Sequence, residues 1–275
     1  MKVLSWEYDR LTGFAFWFVV ANMVLIEAAL IFSPKHLGLL EEDSLAENMG
    51  ACFLFISGTV LVITAIEIFR RGTFSKSKLD TLRVAMFAIA SAAFFWATGE
   101  EVSWGQRFFD IPTPDFFNTF NHQKELNLHN FNTRFFNNAL ETIGLLFILL
   151  PSILMYRNIK YVLKISIPSF QLILCFIMVS CYSTYTYVKD QDYIAYVALA
   201  FWGWVVLRKN DARGVLLTLT TIAIVSFVGV CNVYYLTYFP ANGPREVREY
   251  LFSFLFMIYT FYMLLDIKSQ TNGLK

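Results

Sequence analysis

The segment "LAENMGACFLFISGTVLVITAIEIF", residues 45–69, is apolar over more than the roughly 20 residues that an α-helix needs to cross a bilayer. The rest of the 275-residue chain has the same character, since 57% of its residues are hydrophobic and only 16% are charged. A typical soluble domain has about 25% charged residues. The composition therefore predicts an integral membrane protein.

We identify eight apolar segments of this kind, and each is predicted to be a membrane-spanning helix. They comprise residues 11–32, 45–69, 84–98, 139–156, 165–188, 193–207, 215–239 and 250–265. The third, sixth and eighth are short, and the sixth is also compatible with a re-entrant segment. The sequence predicts an all-α, polytopic helix bundle of about eight transmembrane helices, with residues 1–275 forming a single transmembrane domain.

Lys and Arg are distributed unevenly between the predicted loops, which sets the expected orientation because cytoplasmic loops collect basic residues. With the N-terminus inside, the outer segments hold only seven of the 22 basic residues, namely Lys35, Arg107, Lys124, Arg134, Lys189, Arg245 and Arg248. We expect both termini in the cytoplasm and a multi-pass protein of the inner (plasma) membrane. Residues 99–138 then form an extracytoplasmic loop that carries the polar motifs, with a short interfacial helix at residues 114–124 for which Thr113 is the predicted N-cap.

The sequence disfavours several classes of protein and site. A net charge of +1 and the lack of a glycine-rich phosphate motif give no reason to expect a nucleic-acid partner. No HExxH motif or nucleophile elbow occurs, which disfavours a standard zinc protease or serine hydrolase. The cysteines fall within predicted spans without metal-type spacing, so we expect small buried apolar residues at Cys52, Cys175, Cys181 and Cys231.

Three polar clusters lie on the outer face in this topology. They are "LLEEDSLAEN" at residues 39–48, "ATGEEVSWGQRFFD" at residues 97–110 and "NHQKELNLHNFNTRFFNNALE" at residues 121–141. Ionisable side chains within or beside a membrane are costly, and they usually mark a functional site. We therefore expect the chemistry of this protein in this region.

In the second cluster, Glu100 and Glu101 are adjacent and repel one another unless a cation or a shared proton relieves them. On a helix they point about 100° apart, so at most one of them needs to face the bundle interior. A structural ion pair with Arg107 is the competing explanation. As a functional set, we predict Glu100, Glu101 and Arg107 as catalytic. Gln106 and Arg107 would orient a phosphate or carbonyl, and Trp104 would seat acyl chains.

In the third cluster, Glu125 and His129 are four residues apart, so they share a face if the segment is helical. That arrangement suits either a general base held by a carboxylate or two ligands of one metal. We predict His129 as a catalytic residue and the neighbouring Asn127 and Asn130 as substrate-binding residues.

Carboxylates combined with a histidine favour a divalent metal as cofactor, and the sequence leaves its identity open. The predicted ligands are Glu42, Glu47, Glu101, Glu125 and His129. Glu47 has an alternative role, because Ser44 and Glu47 match a capping box at the start of the second span.

The second and third clusters resemble those of an uncharacterised family of bacterial polytopic membrane proteins, in which a GEExSWGQR string is followed by NxQxExNxHN. The matching positions here are Gly99, Glu100, Glu101, Ser103, Trp104, Gly105, Gln106 and Arg107, then Asn121, Gln123, Glu125, Asn127, His129 and Asn130. The motif region covers roughly the first half of the chain. The resemblance implies a bacterial inner-membrane protein.

A weaker similarity is to the alkaline ceramidases, which are multi-span enzymes that hydrolyse a lipid amide at a site with three zinc-binding histidines. This chain has only His36, His122 and His129, and none of them forms the His-x-x-x-His pair of that family. The similarity therefore does not extend to the zinc site.

Three functions remain open at this point. The first is a metal-assisted hydrolase or transferase that acts at the extracytoplasmic face on a lipid or lipid-linked substrate, with membrane lipid as its partner. The second is an ion-coupled carrier, in which Glu27 and Glu141 belong to an ion path. The third is a non-catalytic assembly or sensor protein. Convergence of Glu42, Glu100, Glu101 and His129 on one pocket would favour the enzyme.

Overall fold

A computed structural model describes residues 6–32, 45–70, 77–121, 123–180, 190–235 and 243–271. Its long helices are α1 (Trp6–Phe32), α2 (Leu45–Arg70), α3 (Lys78–Glu101), α6 (Thr133–Tyr156), α8 (Asp190–Arg208), α9 (Ala212–Tyr235) and α10 (Gly243–Thr271). Shorter elements are α4 (Gln106–Phe109), α5 (Asp115–Phe120), α7 (Phe170–Ser180), the strands β1 (Tyr161–Val162) and β2 (Ile165–Ser166), and 3₁₀ turns at Ser103–Gly105 and His129–Phe131.

Six of the described helices are long and apolar enough to cross a membrane, namely α1, α2, α3, α6, α9 and α10. The expectation of a multi-pass, all-α membrane protein is thus confirmed, and its physical basis is that a helix satisfies its own backbone hydrogen bonds where no water is available. The third and eighth predicted spans are not short, because α3 and α10 continue into the polar residues that flank their apolar centres.

The fifth predicted span needs a correction at its start. Residues 165–166 form strand β2, which pairs with β1 in a tight antiparallel hairpin. Helix α7 begins only at Phe170, where the Ser169 side chain accepts a hydrogen bond from the Leu172 backbone amide at 3.3 Å. Pro168 precedes this cap. Because proline has no backbone N–H and does not fit a helix interior, the helix cannot extend from α7 back to the hairpin. Residues 181–188 of the predicted span lie outside the described residues.

The core is built around α7, whose residues from Gln171 to Ser180 are all buried. It packs against α1, α6, α8, α9 and α10. Phe176 of α7 stacks on Phe252 of α10, with ring centroids 5.7 Å apart. Since neighbouring helices cover α7 on all sides, it holds the bundle together.

Helices α2, α3 and α10 pack closely through small residues. Ser91 on α3 donates a hydrogen bond to the Gly58 backbone carbonyl of α2 at 2.8 Å. Helix α2 also approaches α10 closely, since a Cβ at Gly50 of α2 would lie 3.7 Å from the Tyr250 Cα of α10. Small side chains allow membrane helices to approach this closely. The packing brings the start of α2, the end of α3 and the start of α10 to one end of the bundle.

The prediction for the cysteines is confirmed at two positions and wrong at a third. Cys175 and Cys231 are buried in the helix bundle, whereas Cys52 is exposed on the surface of α2. Side chains that face lipid and side chains that face the helix bundle are both apolar in a membrane helix. Whether a cysteine is buried therefore depends on which side of the helix it lies on, and not on its hydrophobicity. Cys181 lies outside the described residues.

Candidate functional site

A polar pocket of about 310 Å³ lies where the starts of α2 and α10 meet the end of α3 and the loop that follows it. We call it the acidic pocket. Its lining residues are Glu47, Glu101, Gln123, Glu125, His129, Arg245, Glu246 and Glu249. Five carboxylates therefore share this small volume with one guanidinium and one imidazole.

Four residues of the predicted site meet in this pocket although they are distant in sequence. Glu47 comes from α2, Glu101 from α3, and Glu125 and His129 from the loop. Glu42, another predicted metal ligand, lies outside the described residues, as does Ser44 of the predicted capping box. The side chain of Arg107 is also outside the part of the chain that the structure describes.

The two adjacent glutamates point in different directions. Glu101 lines the acidic pocket, where Glu249, Glu47 and Glu246 are its acidic neighbours. Glu100 is buried, with 3% of its surface exposed, and its side chain binds the loop. Its Oε1 accepts a hydrogen bond from the Trp104 indole at 2.9 Å. The helical angle of about 100° between neighbouring residues explains this division.

The second oxygen of Glu100 fixes the segment that carries His129. Oε2 accepts hydrogen bonds from the backbone amides of Leu128 at 2.6 Å and His129 at 2.9 Å. The same oxygen lies 3.7 Å from His129 Nδ1. A buried carboxylate beside one ring nitrogen orients an imidazole and sets which nitrogen carries the proton.

The segment through Glu125 and His129 is not helical, because it consists of turns that end in the short 3₁₀ turn at His129. Polar side chains bind the backbone here in place of a helical ladder. Glu125 Oε2 accepts hydrogen bonds from Ser103 Oγ at 2.6 Å and from Asn127 Nδ2 at 2.8 Å. Glu125 and His129 still line the same pocket, but Glu100 is the carboxylate beside the imidazole.

The predicted substrate-binding residues hold the loop together. Gln106 donates to the Thr113 hydroxyl at 2.6 Å and accepts from the Leu126 amide at 2.6 Å. Asn127 is buried and accepts a hydrogen bond from Asn121, and the buried Asn130 donates to the Gln123 side chain. The described pocket lining does not include Gln106, Asn127 or Asn130. Their role in substrate binding stays a prediction.

The turn after α3 is compact and has an unusual backbone. Ser103, Trp104 and Gly105 have positive φ values of 47°, 54° and 80°. Residues other than glycine seldom adopt a positive φ. The Trp104 ring lies over Gly99, where a Cβ would come within 2.9 Å of it. A glycine at 99 is therefore required for the indole to reach Glu100.

The short helix in the loop differs from its prediction. Helix α5 covers only Asp115–Phe120, and its N-cap is Pro114 without a side-chain cap bond. Thr113 is not the N-cap, because the helix begins one residue later than predicted. The Thr113 hydroxyl accepts from Gln106 Nε2 at 2.6 Å and donates to the Lys124 backbone carbonyl at 2.8 Å. Phe116 and Phe120 of this helix are exposed and their rings lie 5.2 Å apart, so α5 presents an apolar surface beside the loop.

Helix α10 supplies three pocket residues that the sequence prediction missed. Arg245 Nη2 lies 2.9 Å from Glu246 Oε1, and Arg245 Nε lies 3.8 Å from Glu249 Oε1. The available signal is the string "PREVREY" at residues 244–250, which places Glu246 and Glu249 on one face at the start of a helix.

Two further acids, Glu27 and Glu141, lie elsewhere. Glu141 is buried on α6 and forms an ion pair of 2.6 Å with Arg248, which is 1% exposed on α10. Glu27 is buried on α1. The described lining of the acidic pocket includes neither of them, so the pocket is separate from these acids.

The donor set of the acidic pocket suits a hard divalent cation, since it consists mainly of carboxylate oxygens. Among the described residues, no three His, Cys, Asp or Glu side chains are grouped closely enough to hold one metal ion. Mg²⁺ is commonly held by one or two carboxylates and keeps several waters, so it does not require a closed cage of three side chains.

Comparison with known proteins found no similarity to report, since no family model, curated protein or solved structure matches this chain.

Proposed function

We propose that this protein is an integral-membrane enzyme that uses the acidic pocket to act on a lipid or lipid-linked substrate at the extracytoplasmic face of a bacterial inner membrane. The proposal includes eight spans with both termini in the cytoplasm. The observation that carries it is the convergence of Glu47, Glu101, Glu125 and His129 from three separate segments. A cluster of ionisable groups from distant segments in one pocket is a candidate functional site.

In this proposal, His129 is the general base or acid. Its imidazole lines the pocket, and the buried Glu100 carboxylate beside Nδ1 acts as a positioning residue. No serine, threonine or cysteine is among the described lining residues. The nucleophile would then be water in a hydrolase or an acceptor hydroxyl in a transferase.

A divalent metal ion is the proposed cofactor. Glu101 lies among other carboxylates, and at an effective dielectric constant of about 20 two like charges 4 Å apart repel by about 4 kcal/mol. A bound cation removes this repulsion. Glu101, with either Glu47 or Glu249, would hold it together with several waters, and it would polarise a carbonyl or phosphoryl oxygen of the substrate.

A lipid substrate agrees with the surroundings of the pocket. The pocket is too small and polar for an acyl chain but matches a headgroup, whereas the loop beside it exposes Phe108, Phe109, Phe116 and Phe120. An exposed aromatic surface of this kind suits the boundary between headgroups and acyl chains. Trp104, which is also exposed, is proposed to contact the chains.

The carrier remains less supported than the enzyme. Its predicted ion path needs Glu27 and Glu141, but Glu141 forms the buried ion pair with Arg248. For the non-catalytic sensor, the supporting observation is the excess of carboxylates in the acidic pocket. These could bind a cation, and a cation sensor needs no general base. Turnover of a lipid separates an enzyme from both alternatives.

The test is incubation of the purified protein in detergent with a bacterial total lipid extract and Mg²⁺, followed by mass spectrometry of the lipids. We expect one lipid class to decrease with time. His129→Ala should lower the rate about 10²–10⁴-fold, as expected for loss of a general base. Glu67→Gln is the matched control, because Glu67 lies at the opposite end of α2 from Glu47. An equal rate for His129→Ala and Glu67→Gln would contradict the proposed role of His129.

A further inference from the structure

A second and larger cavity, of about 790 Å³, lies at the other end of the bundle. The end of α6, the β1–β2 hairpin and the starts of α7 and α9 form its walls, together with Tyr262 of α10. Along α10, Tyr262 of this cavity lies roughly 20 Å from Glu249 of the acidic pocket, at a rise of about 1.5 Å per residue. The two cavities share no described lining residue.

The charged residues of this cavity are mainly basic, so we call it the basic cavity. Lys160, Lys209 and Arg213 line it, and Asp211 is its single acid among the described lining residues. The Asp211 carboxylate accepts a hydrogen bond from the Gly214 backbone amide at 3.0 Å and so caps the start of α9. The cavity is therefore electrostatically suited to an anion.

Two helices begin at the wall of the basic cavity. Phe170 opens α7, and Gly214 lies in the first turn of α9. The N-terminus of a helix carries a partial positive charge and backbone N–H groups that bind phosphate well. Helix α7, whose cap is the uncharged Ser169 side chain, adds to the field of the three basic side chains, whereas the Asp211 carboxylate offsets the positive end of α9.

A buried hydroxyl in the wall provides an independent indication of a ligand. Ser166 on β2 lines the cavity with 3% of its surface exposed, and its Oγ makes no hydrogen bond within the described part of the chain. Buried hydroxyl groups are nearly always hydrogen-bonded. Because this oxygen is itself buried, rotation about the Ser166 χ1 angle would let an anion in the cavity accept the missing hydrogen bond.

Much of the remaining wall is apolar and includes Met155, Ile159, Phe170 and Leu217. Ligand sites for small molecules have volumes of about 300–1,000 Å³, and the basic cavity falls within that range. Since basic groups and apolar side chains share one cavity, we propose that it binds a phosphate-bearing anion. A lipid headgroup and a soluble phosphate compound both carry that chemistry.

The test is binding of phosphatidylglycerol to the purified full-length protein in detergent, measured by native mass spectrometry, with phosphatidylcholine as the zwitterionic comparison of zero net charge. Each basic residue near a membrane surface contributes about 1 kcal/mol to the binding of an anionic lipid, so Lys209→Ala combined with Arg213→Ala should weaken phosphatidylglycerol binding about thirtyfold. Ser166→Ala should weaken it about fivefold through the lost hydrogen bond.

Arg70→Ala combined with Lys78→Ala is the matched control, because these basic residues lie at the ends of α2 and α3 and do not line the cavity. Competition by inorganic phosphate in a second series identifies the source of the anion. Displacement of the lipid supports a soluble phosphate ligand, and lack of displacement supports a lipid headgroup. Equal lipid binding by the two double variants, or no preference of the parent protein for phosphatidylglycerol, would overturn the proposal.

Discussion

The acidic pocket and the basic cavity lie toward opposite ends of α10 and are built in different ways. The basic residues Lys160, Lys209 and Arg213 are exposed, so solvent screens their mutual repulsion. In the acidic pocket the carboxylates are half-buried or buried, and a network behind the lining holds them. Glu100 binds the loop, and the buried Arg248 binds α6 to α10.

This difference shows that the polar motifs of this chain supply both the residues that face the acidic pocket and the residues that support its wall. Glu101, Glu125 and His129 face the acidic pocket, whereas Glu100 and Asn127 hold the wall. Among the described residues, the supports of the basic cavity are mainly single hydrogen bonds, such as the helix caps at Ser169 and Asp211 and the bond that the Tyr259 hydroxyl donates to the Ser166 carbonyl. Substitutions at the acidic end should therefore cost more stability than those at the basic end.

The largest effect is expected from the buried ion pair at the acidic end. Arg248→Met removes the guanidinium beside Glu141, which is 2% exposed, and should destabilise the protein by about 3–5 kcal/mol. Thermal unfolding in detergent measures the change. Glu141→Gln combined with Arg248→Met should recover much of the loss, because no buried charge remains. Equal destabilisation in the single and double variants would show that charge is not the cause.

A smaller loss is expected when the network behind the pocket is weakened. Glu100→Gln replaces an ionised acceptor of two backbone amides and should cost about 1.5–3 kcal/mol in local stability. Hydrogen–deuterium exchange should then be faster at Leu128 and His129. The adjacent Glu101→Gln is the control and should leave exchange at these amides unchanged. Faster exchange in both variants would contradict the division of roles between the two glutamates.

The smallest effect is expected at the basic end. Asp211→Ala removes the cap of α9 and should cost about 0.5–2 kcal/mol in the free energy of unfolding. It also removes the single described acid of the basic cavity, so phosphatidylglycerol should bind more tightly than to the parent protein. Weaker lipid binding by this variant would indicate that Asp211, and not the basic residues, contacts the ligand.

The class of fold could be predicted from the sequence because apolar length is a local property. The segment at residues 45–69 corresponds to α2 within one residue. The ends of α3 and α10 were missed, because a helix that leaves the membrane continues into charged residues which a hydropathy pattern does not assign to it. The β1–β2 hairpin was missed for a related reason, since its apolar residues adjoin those of α7.

The candidate site could be predicted in its location but only partly in its members. Clustered carboxylates beside apolar spans identified Glu47, Glu101, Glu125 and His129 as residues of one region, and the pocket brings them together. The sequence could not tell Glu100 from Glu101, because that depends on the rotation of α3. Arg245 and its neighbours were missed because they meet α2 and α3 only through tertiary packing between segments that are far apart in sequence.

The most direct test of the central claim is binding of Mn²⁺ to the purified protein, followed by electron paramagnetic resonance. Mn²⁺ is spectroscopically visible and prefers carboxylate ligands. We expect the parent protein and Glu67→Gln to bind Mn²⁺ equally, and Glu101→Gln to bind it about 10–100-fold more weakly while still folded. Equal Mn²⁺ affinity of Glu101→Gln and Glu67→Gln, or no binding by the parent protein, would contradict a cation site in the acidic pocket.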